Sequence, residues 1–156
     1  MAVNNVTRLL EARNIQYEVH ELPNEKLGAL EAARLLNVPP QQVFKTIVLK
    51  RETRGKYILA IIPGDKEVNL KAVARFIGEK KVLVPTEREA EKITGLQAGG
   101  ISPLALIHKG FQVLLDSSAS DRNEIYISAG QRGLMVSLPV DALLSLTSAH
   151  LAEISS

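Results

Sequence analysis

The chain has 156 residues, 46% hydrophobic and 23% charged, with a formal net charge of +2 at pH 7. That length suits one domain with a full apolar core, spanning 1–156 as a single unit, and with no Trp and 4% aromatics the core must be built from Leu, Ile, Val and Ala. The absence of cysteine excludes disulfides, thiolate metal sites and a cysteine nucleophile, and no apolar run approaches the roughly 20 residues of a membrane span.

The first segment, Met1 to Arg13, is amphipathic and carries neither the apolar stretch nor the cleavage site of a signal peptide, so the cytoplasm is the expected compartment. Val3, Val6, Leu9 and Leu10 predict a helix ending near Arg13, and Gln16 to Leu22 alternates like a strand. Leu27 to Leu36 predicts a helix stopped by Asn37 and the Pro39-Pro40 pair. Phe44 to Lys50 and Tyr57 to Ile62 read as two strands of a hairpin turning at Gly55. Asn69 caps a helix through Ile77 that Gly78 ends. Val82 to Val84 is a short strand, and Thr86 with Glu89 forms a capping box for a helix through Ile93. After the glycine-rich segment 94–103, short strands are expected at Leu104 to Ile107, Gln112 to Leu115, Ile125 to Ser128 and Leu134 to Leu138, with a last helix from Asp141 to Leu146. Many short strands among helices predict an α/β (α+β) fold: a mixed, barrel-like sheet core surrounded by helices.

Charge is uneven. Residues 1–80 hold 13 Lys/Arg against 9 Asp/Glu, and residues 81–156 hold 6 against 8. The basic half could meet a phosphate backbone, or it is a solvated surface with a chance imbalance.

Lys45 shares strand parity with Ile47 and Leu49, while Phe44, Thr46 and Val48 lie opposite. A strand apolar on both faces is buried on both. Its lysine either snorkels to water or projects a fixed cation into a pocket, where it could bind phosphate or polarise a carbonyl. In Gly95-Leu96-Gln97-Ala98-Gly99-Gly100-Ile101-Ser102-Pro103 the paired glycines allow close backbone approach to a ligand, and Pro103 holds Ser102 extended. A plain glycine turn accounts for the same residues. The segment lacks the Gly-Lys-Ser/Thr ending of a P-loop and the spacing of a dinucleotide fingerprint. Ser128, Ala129 and Gly130 are small enough for a ligand to approach a strand end, or for a hairpin turn. His20, His108 and His150 are scattered without metal-ligand spacing, and Ser102 is not in a nucleophile elbow.

On Val43-Phe44-Lys45-Thr46-Ile47-Val48, Val68-Asn69-Leu70-Lys71 with Phe76-Ile77-Gly78, Thr94-Gly95 with Gly99 to Leu104, and Ile125 to Gly130 with Arg132-Gly133-Leu134, the chain resembles the YbaK/EbsC family of trans-editing aminoacyl-tRNA deacylases over nearly its whole length. It looks closest to the YbaK branch, which acts on cysteinyl-tRNA(Pro) and cysteinyl-tRNA(Cys). The resemblance implies the fold of the prolyl-tRNA synthetase editing insertion. It also implies removal of a wrong amino acid that binding alone cannot exclude, here cysteine from cysteinyl-tRNA(Pro), or alanine from alanyl-tRNA(Pro) with water as nucleophile. By resemblance, Lys45 is the essential lysine, and Thr46 and Ser128 are pocket residues. Gly99, Gly100, Ile101, Ser102 and Pro103 form the loop that contacts the aminoacyl ester or terminal adenosine. No cofactor is implied. The partners are the acceptor end of aminoacyl-tRNA and a selectivity-giving protein such as prolyl-tRNA synthetase. A non-catalytic module that holds the tRNA 3′ end is the alternative of a different class. Three positions depart from the family pattern: Met135 where relatives often carry Asp, Leu22 in place of a tyrosine, and Lys66 where Asn can stand.

Overall fold

The computed structural model describes residues 3–156; Met1 and Ala2, the start of the amphipathic segment, lie outside the described residues. Helix α1 (Asn5–Ala12) starts where the Asn4 side chain accepts from the Thr7 N–H and the Thr7 hydroxyl closes a capping box. Strand β1 (Glu18–Glu21) and helix α2 (Ala29–Leu36) follow, and Asn37 ends α2 in the left-handed region at φ 57. After a 3₁₀ turn at Pro40–Gln42, β2 (Phe44–Arg51) and β3 (Ile58–Pro63) form the expected hairpin, in register from Phe44 opposite Pro63 to Leu49 opposite Ile58. Helix α3 (Leu70–Ile77) has Asn69 and Gly78 as its caps, and after β4 (Val82–Leu83) helix α4 (Glu87–Thr94) opens on the Thr86–Glu89 box. The chain ends through β5 (Gln112–Asp116), β6 (Glu124–Ser128), β7 (Leu134–Pro139), α5 (Val140–Thr147) and β8 (His150–Ala152).

The strands form two sheets, ordered β4-β2-β3-β5-β8 and β1-β7-β6. Pairings are mixed: β3 runs parallel to β5 and β5 to β8, and the other ladders are antiparallel. The sheets meet at a single bridge between Val43 and Tyr126, so the mixed core surrounded by helices is two open sheets, with no closed barrel among the described residues. Strand β2 is buried on both faces, as its sequence implies. Phe44 and Val48 join Leu59, Ile61, Ile125, Ile127, Val136 and Leu138 in the larger core. Ile47 and Leu49 pack with Ile58, Ala60, Ile62 and Val73 in a second core under α3.

Two elements differ from expectation. Leu104 to Ile107 is not a strand but a turn running into a 3₁₀ helix at Ile107–Lys109. The Leu104 N–H is taken by the Ser102 hydroxyl at 3.2 Å and the Leu106 N–H by the Pro103 carbonyl at 3.3 Å, so both are satisfied locally. Leu104 and Leu106 are buried, which imitates strand alternation in the sequence. The chain also does not close with the last helix. It adds β8, too short to carry a pattern of its own, which is anchored where Asp116 accepts the Ile154 N–H at 3.1 Å.

Candidate functional site

A cavity of about 470 Å³ opens beside β2, within the usual range for small-ligand sites. Val43 to Val48 make its floor, Lys26 to Ala29 one wall, and Val84, Pro85 and Glu87 another. Gly99 and Ile101 close a third side, and Ser128 and Met135 stand at the end of the β6–β7 hairpin. The floor is an open sheet edge. One edge of β2 pairs with β3 along its length, but on the other β4 pairs only with Lys50 and Arg51. In an antiparallel ladder, alternate residues direct their N–H and C=O groups to the far edge. From 44 to 48 those groups have no strand partner among the described residues and adjoin the cavity. Their hydrogen-bonding capacity is available to a ligand.

Lys45 stands opposite Ile62, half-buried, and its Nζ donates to the Gly64 carbonyl at 3.3 Å. Among the described residues no carboxylate lies within 4.0 Å of it. An ammonium carries three donors, so two remain for a ligand. Gly64 is what lets the chain fold this way. A Cβ there would lie 2.7 Å from the Ala29 Cβ and 3.0 Å from the Val43 carbonyl oxygen, which already accepts the Gly64 N–H at 2.7 Å. Of the two readings open for this lysine, the geometry favours the pocket.

The remaining sequence-derived candidates divide. Thr46, Gly99, Ile101 and Ser128 line the cavity with Lys45; Gly100, Ser102 and Pro103 do not. Gly99 has φ +88, and a Cβ on it would approach the Lys26 Cα to 3.1 Å. Gly100 packs away from the cavity, where a Cβ would meet the Gln131 carbonyl carbon at 2.8 Å and the Arg132 nitrogen at 2.9 Å. Ser102 is fully buried, with its hydroxyl accepting the Leu104 N–H, and Pro103 is buried beside it. These three residues shape the loop that presents Gly99 and Ile101. The Ser128 hydroxyl accepts the Gly130 N–H at 3.3 Å.

The back wall is apolar. Met135 and Leu22 line the cavity and pack with Ala29, Ala32, Val43 and Tyr126. Burial, helped by the Glu124 and Glu18 charges, pushes the Tyr126 phenol up from its ordinary value. Lys66 sits in the turn after β3 and does not line the cavity. No histidine lines it either; His20 lies against Tyr126 and shares a 3.0 Å hydrogen bond with Ser137. Helix α4 is tied to the end of β2 by Lys50 and Glu89 at 2.9 Å, and the same contact raises the lysine and lowers the carboxyl.

Sequence reasoning missed the mouth. Lys26 pairs with Glu87 at 2.5 Å across it, Glu25 lines it, and Val84 is an exposed apolar side chain on its lip. The one available signal was the Val84-Pro85 pair directly before the Thr86–Glu89 capping box; in the structure neither residue joins a core. The Lys26–Glu87 pairing spans 61 positions and has no local signature.

Residues 24–146 match the sequence model of the family described as Aminoacyl-tRNA editing domain. EbsC of Enterococcus faecalis, provisionally named a Cys-tRNA(Pro)/Cys-tRNA(Cys) deacylase, is 34% identical over 153 residues, covering 97% of this chain and 92% of that protein. Proline–tRNA ligase of Fervidobacterium nodosum is 31% identical over 94 residues, which are 60% of this chain and 16% of that enzyme. A crystal structure provisionally described as a trans-editing enzyme for prolyl tRNA synthetase superposes with a TM-score of 0.83 over 99% of both chains at 24% identity. Hypothetical protein APE2540 gives 0.89 over 98% of this chain and 100% of its own, also at 24% identity. These two superpositions speak to the fold alone. Since the family match takes in the cavity residues from Lys26 to Met135 and the EbsC likeness runs nearly end to end, the chain belongs to the aminoacyl-tRNA editing domain family.

Proposed function

We propose that this chain is a trans-editing deacylase that removes cysteine from mischarged cysteinyl-tRNA(Pro) by substrate-assisted cleavage of the aminoacyl ester. Family membership supports the reaction class, and the name of EbsC supports the amino acid. The observation that carries the reading is Lys45, a half-buried residue at the cavity wall whose ammonium has no carboxylate partner among the described residues. A fixed cation is suited to the oxyanion that develops when an ester carbonyl is attacked.

Among the described residues the cavity holds no histidine–nucleophile pair, and the proposed reaction needs none. The substrate's thiol sulfur attacks its own carbonyl carbon and the bond from that carbon to the ribose oxygen breaks. The thiol proton ends on the ribose oxygen, and the amino acid leaves as a β-thiolactone. The protein contributes orientation and charge stabilisation: Lys45 at the developing oxyanion, main-chain donors of β2 and Gly99 around the ester, and Leu22 and Met135 against the side chain. Alanyl-tRNA(Pro) is the second reading, because the same apolar wall accepts a methyl group as well as a thiol; water then attacks. The stretch shared with proline–tRNA ligases supports prolyl-tRNA synthetase as the partner that selects the tRNA, in the cytoplasm where translation occurs.

Release of label from cysteinyl-, alanyl- and seryl-tRNA(Pro) tests the assignment, with Lys45→Ala as control. Cysteine is expected to leave fastest and as the thiolactone. Free alanine as the preferred product would establish the second reading, and binding without release would establish a non-catalytic tRNA-end module.

A further inference from the structure

We propose that Lys26, on the cavity rim, and Arg132, against Gly99 just outside the cavity lining, form a phosphodiester-binding step that seats the phosphate preceding the terminal nucleoside of an RNA 3′ end. The inference rests on the reading above only for the direction in which the RNA lies: ester towards Lys45, polynucleotide leaving through the mouth.

Both cationic stems lie against one glycine. A Cβ on Gly99 would be 3.4 Å from the Lys26 Cγ and 3.6 Å from the Arg132 Cγ. The Arg132 guanidinium is oriented by its Nε, which donates to the Ala98 carbonyl at 2.7 Å. Its two terminal nitrogens have no hydrogen-bond partner among the described residues and are not buried. A guanidinium held by one edge with the other free is suited to bidentate phosphate recognition. The Lys26 ammonium reaches Glu87 instead, at 2.5 Å, with the two side chains 52% and 56% exposed. An ion pair that exposed is weak and exchanges readily, so an arriving phosphate can take Lys26 from Glu87. A chain of net charge +2 has little general attraction for a polyanion, and affinity for a nucleic acid end must then come from local contacts of this kind.

The test is binding of the uncharged trinucleotide CCA and of adenosine to the full chain, which requires no deacylation. Lys26→Ala is expected to weaken CCA binding about threefold to tenfold and to reduce the slope of log affinity against log salt by about 0.7, the value for one single-strand phosphate contact. Adenosine binding stays unchanged. Arg132→Lys, which keeps the charge but loses the fork, weakens CCA binding less than twofold at low salt and more at high salt. Glu87→Gln, which removes the competitor for Lys26, tightens CCA binding about twofold to threefold, an effect opposite in sign to that of a broken structural contact. Lys56→Ala, exposed and outside the cavity, leaves all values unchanged. Unaltered CCA affinity and salt slope in Lys26→Ala, or weaker binding in Glu87→Gln, overturns the proposal even if cysteinyl-tRNA(Pro) is hydrolysed. The expected CCA pattern without hydrolysis of any aminoacyl-tRNA upholds this site and refutes the deacylase reading.

Discussion

Replacing Lys45 by Met separates a catalytic cation from a structural one. The stability change follows from what the ammonium touches. Its one hydrogen bond among the described residues, to the Gly64 carbonyl at 3.3 Å, is longer than the usual 2.9–3.0 Å, and among the same residues there is no ion pair to lose. Against that small loss stands the removal of a half-buried charge that has no carboxylate partner, which relieves a desolvation penalty. Water in the open cavity can take over the Gly64 carbonyl. The net is within about 1 kcal/mol of zero, which for a domain of this size is a melting shift of roughly 2–4 °C. The effect on the reaction is of another order. Removing one fixed donor to a developing oxyanion lowers the rate about 10²–10³-fold, or about 2.7–4 kcal/mol. Single-turnover deacylation of cysteinyl-tRNA(Pro), run beside a thermal melt, is therefore expected to show a drop of at least a hundredfold with near-native melting. A rate loss under tenfold, or a loss matched by a fall in melting temperature beyond about 8 °C, refutes the reasoning.

Three further outcomes follow from local geometry. Gly100→Ala presses a methyl group onto the backbone of Gln131 and Arg132, which cannot rotate away, and is expected to lower stability by about 1–3 kcal/mol in denaturant unfolding. Asp116→Ala leaves the buried Ile154 N–H without its acceptor and frees Ser118, costing about 1–3 kcal/mol for the N–H alone; amide exchange in 150–154 should accelerate. The Glu89 carboxyl is held below its ordinary 4.5 chiefly by the hydrogen bond from Lys50, with the Thr86 N–H adding to it. Its stabilisation is present above that ordinary value and is lost as pH falls through the depressed one. The melting difference between wild type and Glu89→Gln should therefore shrink as pH drops below about 4.5.

What the sequence reveals is what is decided within a few residues. Asn69 and Gly78, Thr86 and Glu89, and the two-residue alternation of β2 all read correctly, because a cap or a strand face is set by neighbours in the chain. Lys45 stands out as a candidate because a charge on a strand apolar on both faces conflicts with its surroundings. The glycine loop could not be divided into cavity-lining and packed residues, since the surface against Gly100 comes from Gln131 and Arg132, far along the chain. Leu104 and Leu106 imitate a strand because burial at alternate positions is common to strands and to turns whose N–H groups are satisfied nearby. Whether the sheets close was also out of reach. That depends on β4 pairing with only two residues of β2 and on the sheets meeting at one bridge, neither of which leaves a mark on residue type.

That short pairing also explains where the site lies. A strand buried on both faces has few side-chain positions at which to offer a polar group, here Lys45 and Thr46 beside the cavity, apart from its far end and its edge. Exposed edges are ordinarily a liability, because unpaired N–H and C=O groups invite another strand. Here the segments at 26–29, 84–87 and 99–101 screen the edge and enclose the cavity along it. A molecule bound there meets the main chain of β2 along the floor, Lys45 at the start of the strand, and the charged Glu25, Lys26 and Glu87 at the mouth. Main-chain recognition tolerates wide change in side chains as long as the edge stays open. Specificity among editing domains should therefore vary most at the side-chain wall formed by Leu22 and Met135, and least along β2 itself.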